Sequence, residues 1–276
     1  MTSLWTEQTL ERASGAPVRV RVYKGAPDNK LAPLVLHLHG GAFTEGSVET
    51  GQTVASLLAD AGSNVVSVDY PTAPETRFPG ALEASLDALR WTYKTCPAIK
   101  QARLFLAGEE AGGNLAAALA LMARDQQSPP VTGQILLSPM LDPCMATKSI
   151  RQAEAGPVGC QWADGWHDYL GSADKASHPY AAPLGASRLA GLAPALIVTA
   201  EDDPMRDESL SYARRLIECG VYVRQEVLPA PTDWPLALQR ADADPVWAAQ
   251  LKVFFTEFFA TASALRAAAA AHPSVP

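Results

Sequence analysis

The chain is poor in the features that would take it out of the ordinary globular class. Its four cysteines, Cys96, Cys144, Cys160 and Cys219, lie far apart, with no CxxC and no Cys/His ligand spacing. Reduced, mostly buried thiols are expected, and no metal is implied. Basic residues are the minority, 22 against 29 acidic ones, giving a net charge of −7. No basic tract offsets that balance, so nucleic acid is not an expected partner. No apolar run approaches the roughly 18 residues of a membrane span, so no membrane partner is expected. Residues 1–7 lack a basic segment followed by an apolar one, so a cytoplasmic location is expected. Histidine is scarce, and none occurs between His178 and His272.

What is present describes one sizeable core. Hydrophobic residues make up 48% and charged residues 18% of 276 positions, which suits a single large α/β domain over 1–276. Eight short apolar runs read as strands: Thr6–Arg12, Val18–Tyr23, Pro33–His39, Asn64–Tyr70, Ala102–Gly108, Gly133–Ser138, Ala195–Ala200 and Tyr222–Leu228. Helical stretches over about 49–62, 80–95, 110–125, 205–219 and 245–270 separate most of them. Strands alternating with helices predict right-handed crossovers and a mostly parallel sheet covered on both faces. From Asp142 the rhythm breaks, and residues 143–190 read as a cap or lid insertion within the domain. The Ala-rich tail from Ala268 is expected to fray.

Two motifs carry chemistry. His39-Gly40-Gly41-Ala42-Phe43 follows a buried strand, and its small residues let backbone N–H groups turn toward a ligand, as in an oxyanion hole. Equally, it reads as a plain strand-to-helix turn. Leu104 to Ala116, with Gly108-Glu109-Glu110-Ala111-Gly112-Gly113 at its centre, reads as a strand, a glycine-flanked sharp turn and a helix. That is a nucleophile elbow, which lifts its central side chain above the sheet at a helix N-terminus. It predicts a strained or positive φ at Glu110.

On these residues the chain resembles the hormone-sensitive-lipase branch of the α/β-hydrolases, esterases with an HGGG-type oxyanion motif. Asp69-Tyr70 with Ala73-Pro74-Glu75, His178 to Pro183, and Thr199 to Glu208 extend the likeness from about Val18 to the last helix. The resemblance implies an α/β-hydrolase fold of about eight strands with a reduced cap, and no cofactor. It implies an oxyanion hole from Gly41, Ala42 and Ala111, and a pocket involving His39, Phe43, Glu109, Trp162, Trp166 and Trp234. Tyr169 and Leu170 join Trp162 and Trp166 as candidate wall, or these side chains simply dock the insertion. The family's catalytic serine falls on Glu110, its acid on Asp203, and its histidine on Asp233, within one residue.

Nucleophile and base are thus both replaced. Hydrolysis by a triad needs a hydroxyl, an imidazole that takes and returns its proton, and a carboxylate that orients the imidazole. His37 is expected inside a strand and His167 in the insertion. A non-hydrolytic protein holding a small molecule in the former pocket is therefore expected, as gibberellin receptors do on a similar scaffold. The alternatives are an enzyme of altered chemistry with Glu110 as carboxylate nucleophile, and a structural subunit. A homodimer through Tyr222–Leu228 is a further expectation from the family. Only about fifteen residues precede Val18, where the family carries helical turns of the cap, so the pocket is expected to be more open. Glu110, Asp203 and Asp233 are expected to form an acidic cluster holding a proton or a cation. Glu110 is alternatively expected to fold back onto the N–H groups of Gly41, Ala42 and Ala111 and plug the hole.

Overall fold

The computed structural model describes residues 5–25, 32–95, 103–153, 158–240 and 245–271. Eight strands form one sheet: β1 (Trp5–Leu10), β2 (Val18–Lys24), β3 (Leu34–Leu38), β4 (Asn64–Val68), β5 (Leu104–Glu109), β6 (Gly133–Leu137), β7 (Ala195–Ala200) and β8 (Val223–Leu228). Their order is β1-β2-β4-β3-β5-β6-β7-β8. β2 runs antiparallel to both β1 and β4, and the pairs from β4–β3 through β7–β8 are parallel. The central strands read as unbroken apolar runs because helices cover both of their faces, leaving β3, β5, β6 and β7 buried throughout. This is the expected α/β-hydrolase architecture.

The helices are α1 (Gln52–Asp60), α2 (Gly80–Thr95), α3 (Ala111–Asp125), α4 (Lys148–Ala153), α5 (Val158–Leu170), α6 (Arg206–Glu218) and α7 (Ala248–Ala271). α2, α3 and α6 pack on the sheet face that carries Leu36, Leu106 and Leu136, while α1 and α7 cover the opposite face with Val54, Leu58, Phe255 and Phe258. The stretch read as an insertion holds α4, α5 and two short 3-10 turns at Ala173–Ser177 and Pro183–Gly185. α5 shows strong one-sided patterning: Trp162, Trp166, Tyr169 and Leu170 are buried, whereas Ala163, Asp164 and His167 face water.

Three sequence expectations change here. Cys144 and Cys219 are free but exposed, because one sits in the loop after β6 and the other caps α6; Cys96 lies outside the described residues. α7 is long and apolar enough, by length and composition, to cross a membrane, with a mean hydropathy of 1.2 in its most apolar window. Its alanines produce that value between isolated charges, and its Phe255, Phe258 and Phe259 are buried against the sheet. The helix also continues through Ala271, past the point where fraying was expected.

Candidate active site

The elbow forms where β5 meets α3. Glu110 caps the helix with φ 52° and ψ −116°, the left-handed region that costs a non-glycine residue of order 1–3 kcal/mol. Its backbone is held on both sides: its N–H donates to Leu137 O at 3.0 Å, and its carbonyl accepts the Met140 N–H at 3.0 Å. The glycines around it answer to packing. A Cβ on Gly112 would stand 2.0 Å from Leu38 O, and one on Gly108 would stand 2.2 Å from Gly112 O. Close approach of α3 to β3 and β5 therefore requires them, whatever the residue at the elbow does.

The Glu110 carboxylate lies against the backbone N–H groups of the turn after β3. Oε2 accepts the N–H groups of Gly41 and of Ala42, the latter at 2.9 Å, and Gln239 Nε2–H at 3.0 Å. Oε1 accepts Trp162 Nε1–H at 2.6 Å. The residue is wholly buried. Burial raises its pKa, and the donors Gly41, Ala42 and Trp162 oppose that rise without cancelling it. The Ala111 N–H is not among the donors, since the Glu110 side chain makes no cap bond to its own helix. Gln239 carried no sequence signal; it arrives from a 3-10 turn, Leu236–Gln239, far along the chain. Trp162 was legible only as apolar wall, since a burial pattern does not say which way an indole N–H points.

The oxyanion strand-turn is equally filled in. His39 stacks on Tyr70, with ring centroids 4.1 Å apart, and Tyr70 Oη donates to His39 O at 2.7 Å. Burial lowers the His39 pKa, so the ring is neutral, with Nδ1–H donating to Gly40 O at 2.8 Å. Phe43 stacks on Tyr169 at 4.0 Å and contacts Trp166 at 4.9 Å. A Cβ on Gly165 would lie 2.1 Å from Ala42 O, so α5 rests directly on the oxyanion turn. The expected open pocket is thus closed at Glu110. The aromatic side chains of α5 dock onto the site.

Glu109 is a separate arrangement. Its Oε2 lies 2.8 Å from His37 Nε2, whose Nδ1 lies 2.9 Å from Ser67 Oγ, and its Oε1 accepts the Gly40 N–H at 3.2 Å. All three side chains are fully buried on adjacent strands, so they brace the turn from behind.

The three carboxylates do not form a cluster. Asp203 turns inward and accepts Ser138 Oγ–H at 2.8 Å, Thr199 Oγ1–H at 2.5 Å and the Met205 N–H at 2.8 Å. Burial pushes its pKa up to about 6, against those donors. Asp233 is exposed, with φ 56°. The neighbouring Asp202 holds the loop instead, taking the Thr232 N–H at 2.6 Å, its hydroxyl at 2.7 Å and the Asp233 N–H at 3.3 Å. With no imidazole to share, Asp203 finds hydroxyls and the loop finds Asp202. Among the described residues no group of three acidic, His or Cys side chains is placed to hold a metal.

Comparison with known proteins fits this geometry. Residues 35–231 match the family described as the alpha/beta hydrolase fold. The chain belongs to that family. Ethyl acetate hydrolase of Pseudomonas putida is 32% identical over 238 residues, covering 82% of this chain and 74% of that one. Gibberellin receptor GID1C of Arabidopsis thaliana is 30% identical over 211 residues, 71% of this chain and 61% of the receptor. The crystal structure of EstE1, a thermostable carboxylesterase from a metagenomic library, superposes with a TM-score of 0.82 at 29% identity, covering 95% of this chain and 90% of that one. This is an esterase-like member of the α/β-hydrolase family.

Proposed function

We propose that this member does not hydrolyse esters and uses the hydrolase scaffold to bind a small molecule. One observation carries the reading: the carboxylate of Glu110 accepts the two oxyanion-hole N–H groups and two side-chain N–H groups while wholly buried. An oxyanion hole accelerates acyl transfer by stabilising charge that develops on the substrate. Here the donors are already spent on a permanent side chain. The base position is a carboxylate that faces water, and the acid position is turned away from it. As a nucleophile Glu110 fares no better, because both its oxygens are engaged and among the described residues no imidazole is hydrogen-bonded to it to activate water for a second step.

The chain should turn over p-nitrophenyl acetate and butyrate at the rate of buffer alone. A kcat above about 1 s⁻¹, an ordinary enzyme value, would overturn the reading. Glu110→Ser should not restore activity by itself, since the hydroxyl would still lack a base.

A further inference from the structure

Free space survives on the outer side of the plugged site. A cleft of about 380 Å³ opens over the loop after β8, with Pro235, Leu236, Asp233 and Arg240 on its lining and the buried Trp162 and Trp234 beneath it. That volume lies within the range of small-molecule sites. The two charges are the informative feature. Among the described residues neither the Asp233 carboxylate nor the Arg240 guanidinium has a hydrogen-bond or ion-pair partner, and they do not pair with each other. The third charged group on the lining, Asp202, is already committed to the Thr232 and Asp233 backbone and the Thr232 hydroxyl. Those same bonds pin the turn that carries Asp233, with its backbone at φ 56°. One carboxylate and one guanidinium, each without a partner among the described residues, therefore line the same cleft.

We infer that this cleft takes a small zwitterion, a free amino acid with an apolar side chain, its ammonium on Asp233, its carboxylate on Arg240 and its body against Leu236. A single free carboxylate is too few ligands for a hard cation, which takes six or more oxygens. A purely apolar ligand would leave both charges unused. Guanidinium-to-carboxylate and carboxylate-to-ammonium bonds are charge-assisted, and each is stronger than a neutral one. The inference rests on the non-hydrolytic binding reading and names its ligand class.

The test is calorimetric titration of the full chain with L-leucine, with isoamylamine, which lacks the carboxylate, and with 4-methylpentanoate, which lacks the amine. Leucine should bind at least about tenfold more tightly than either analogue, the worth of one charged hydrogen bond. Asp233→Asn should weaken leucine and isoamylamine by a similar factor and leave 4-methylpentanoate unchanged. Arg240→Gln should weaken leucine and 4-methylpentanoate and leave isoamylamine unchanged. Both positions are exposed, so the variants fold. Equal binding of all three probes, binding of none, or leucine affinity unmoved in both variants overturns the zwitterion assignment. Equal binding would still leave a non-hydrolytic binder. Ester turnover by the unmodified chain would overturn that broader reading whatever leucine does.

Discussion

Asp203 offers a test of the proposed non-hydrolytic reading, because on that reading it behaves oppositely to the acid of a working triad. In a triad the acid must be ionised, and removing its charge disables the enzyme. Here the carboxyl is buried among Ser138, Thr199 and the Met205 N–H, with no imidazolium to face. Asp203→Asn keeps the geometry: Oδ1 still accepts Ser138 and Met205, and the new amide donates to Thr199 once that hydroxyl rotates. Only the charge is lost. Burial moves the carboxyl from 3.8 to about 6, which corresponds to about 3 kcal/mol held against the ionised form. The direction follows from linkage. A folded-state pKa above the unfolded one contributes stability that is complete below pH 3.8 and is lost as pH rises through about 6. The asparagine variant has no such slope. The two proteins should therefore be equally stable near pH 4, and the variant should be ahead by up to about 3 kcal/mol at pH 8. Urea titrations followed by circular dichroism at pH 4, 6 and 8 measure that gap. A variant less stable than the parent at pH 8, or a gap that does not widen between pH 4 and 8, would refute the reasoning.

Other outcomes follow from the plug. Glu110→Ala leaves four N–H donors facing a void and should cost at least about 2 kcal/mol in denaturant unfolding. Formate, a free carboxylate of the right chemistry, should raise the melting temperature of that variant and not of the parent. Trp162→Phe removes one donor to a charged acceptor and should cost about 1.5–3 kcal/mol, read from the same titration. Gly165→Ala places a Cβ 2.1 Å from Ala42 O, so α5 must lift; the red shift of tryptophan fluorescence from newly wetted Trp162 and Trp166 reports it. An unchanged spectrum and melting temperature in Gly165→Ala would show that α5 does not rest on the turn.

How much was readable in advance depends on the range of the interaction. The order of strands and helices, the elbow at Glu110 and the lack of histidine between His178 and His272 were all open to inspection, because apolar periodicity, glycine spacing and residue identity are local properties of a chain. The positive φ at Glu110 followed from the same local geometry. The oxyanion-turn donors to Glu110 were anticipated in part, since Gly41 and Ala42 are placed by the strand that precedes them. Their partners Trp162 and Gln239 come from 52 and 129 residues away, and only the packing of α5 and of the loop after β8 brings them in.

The acidic cluster failed for the same reason in reverse. Three carboxylates at triad positions suggest one shared volume, but each side chain chose its rotamer by the donors within reach. Asp203 found two hydroxyls and an amide; Asp233 found water. The chain alone thus determined that this protein has the fold of a hydrolase, with Glu110 at the elbow and no histidine between His178 and His272. Tertiary structure decided what the replacements do, because a buried carboxylate is stable only where donors converge, and those donors converge from segments that are distant in sequence.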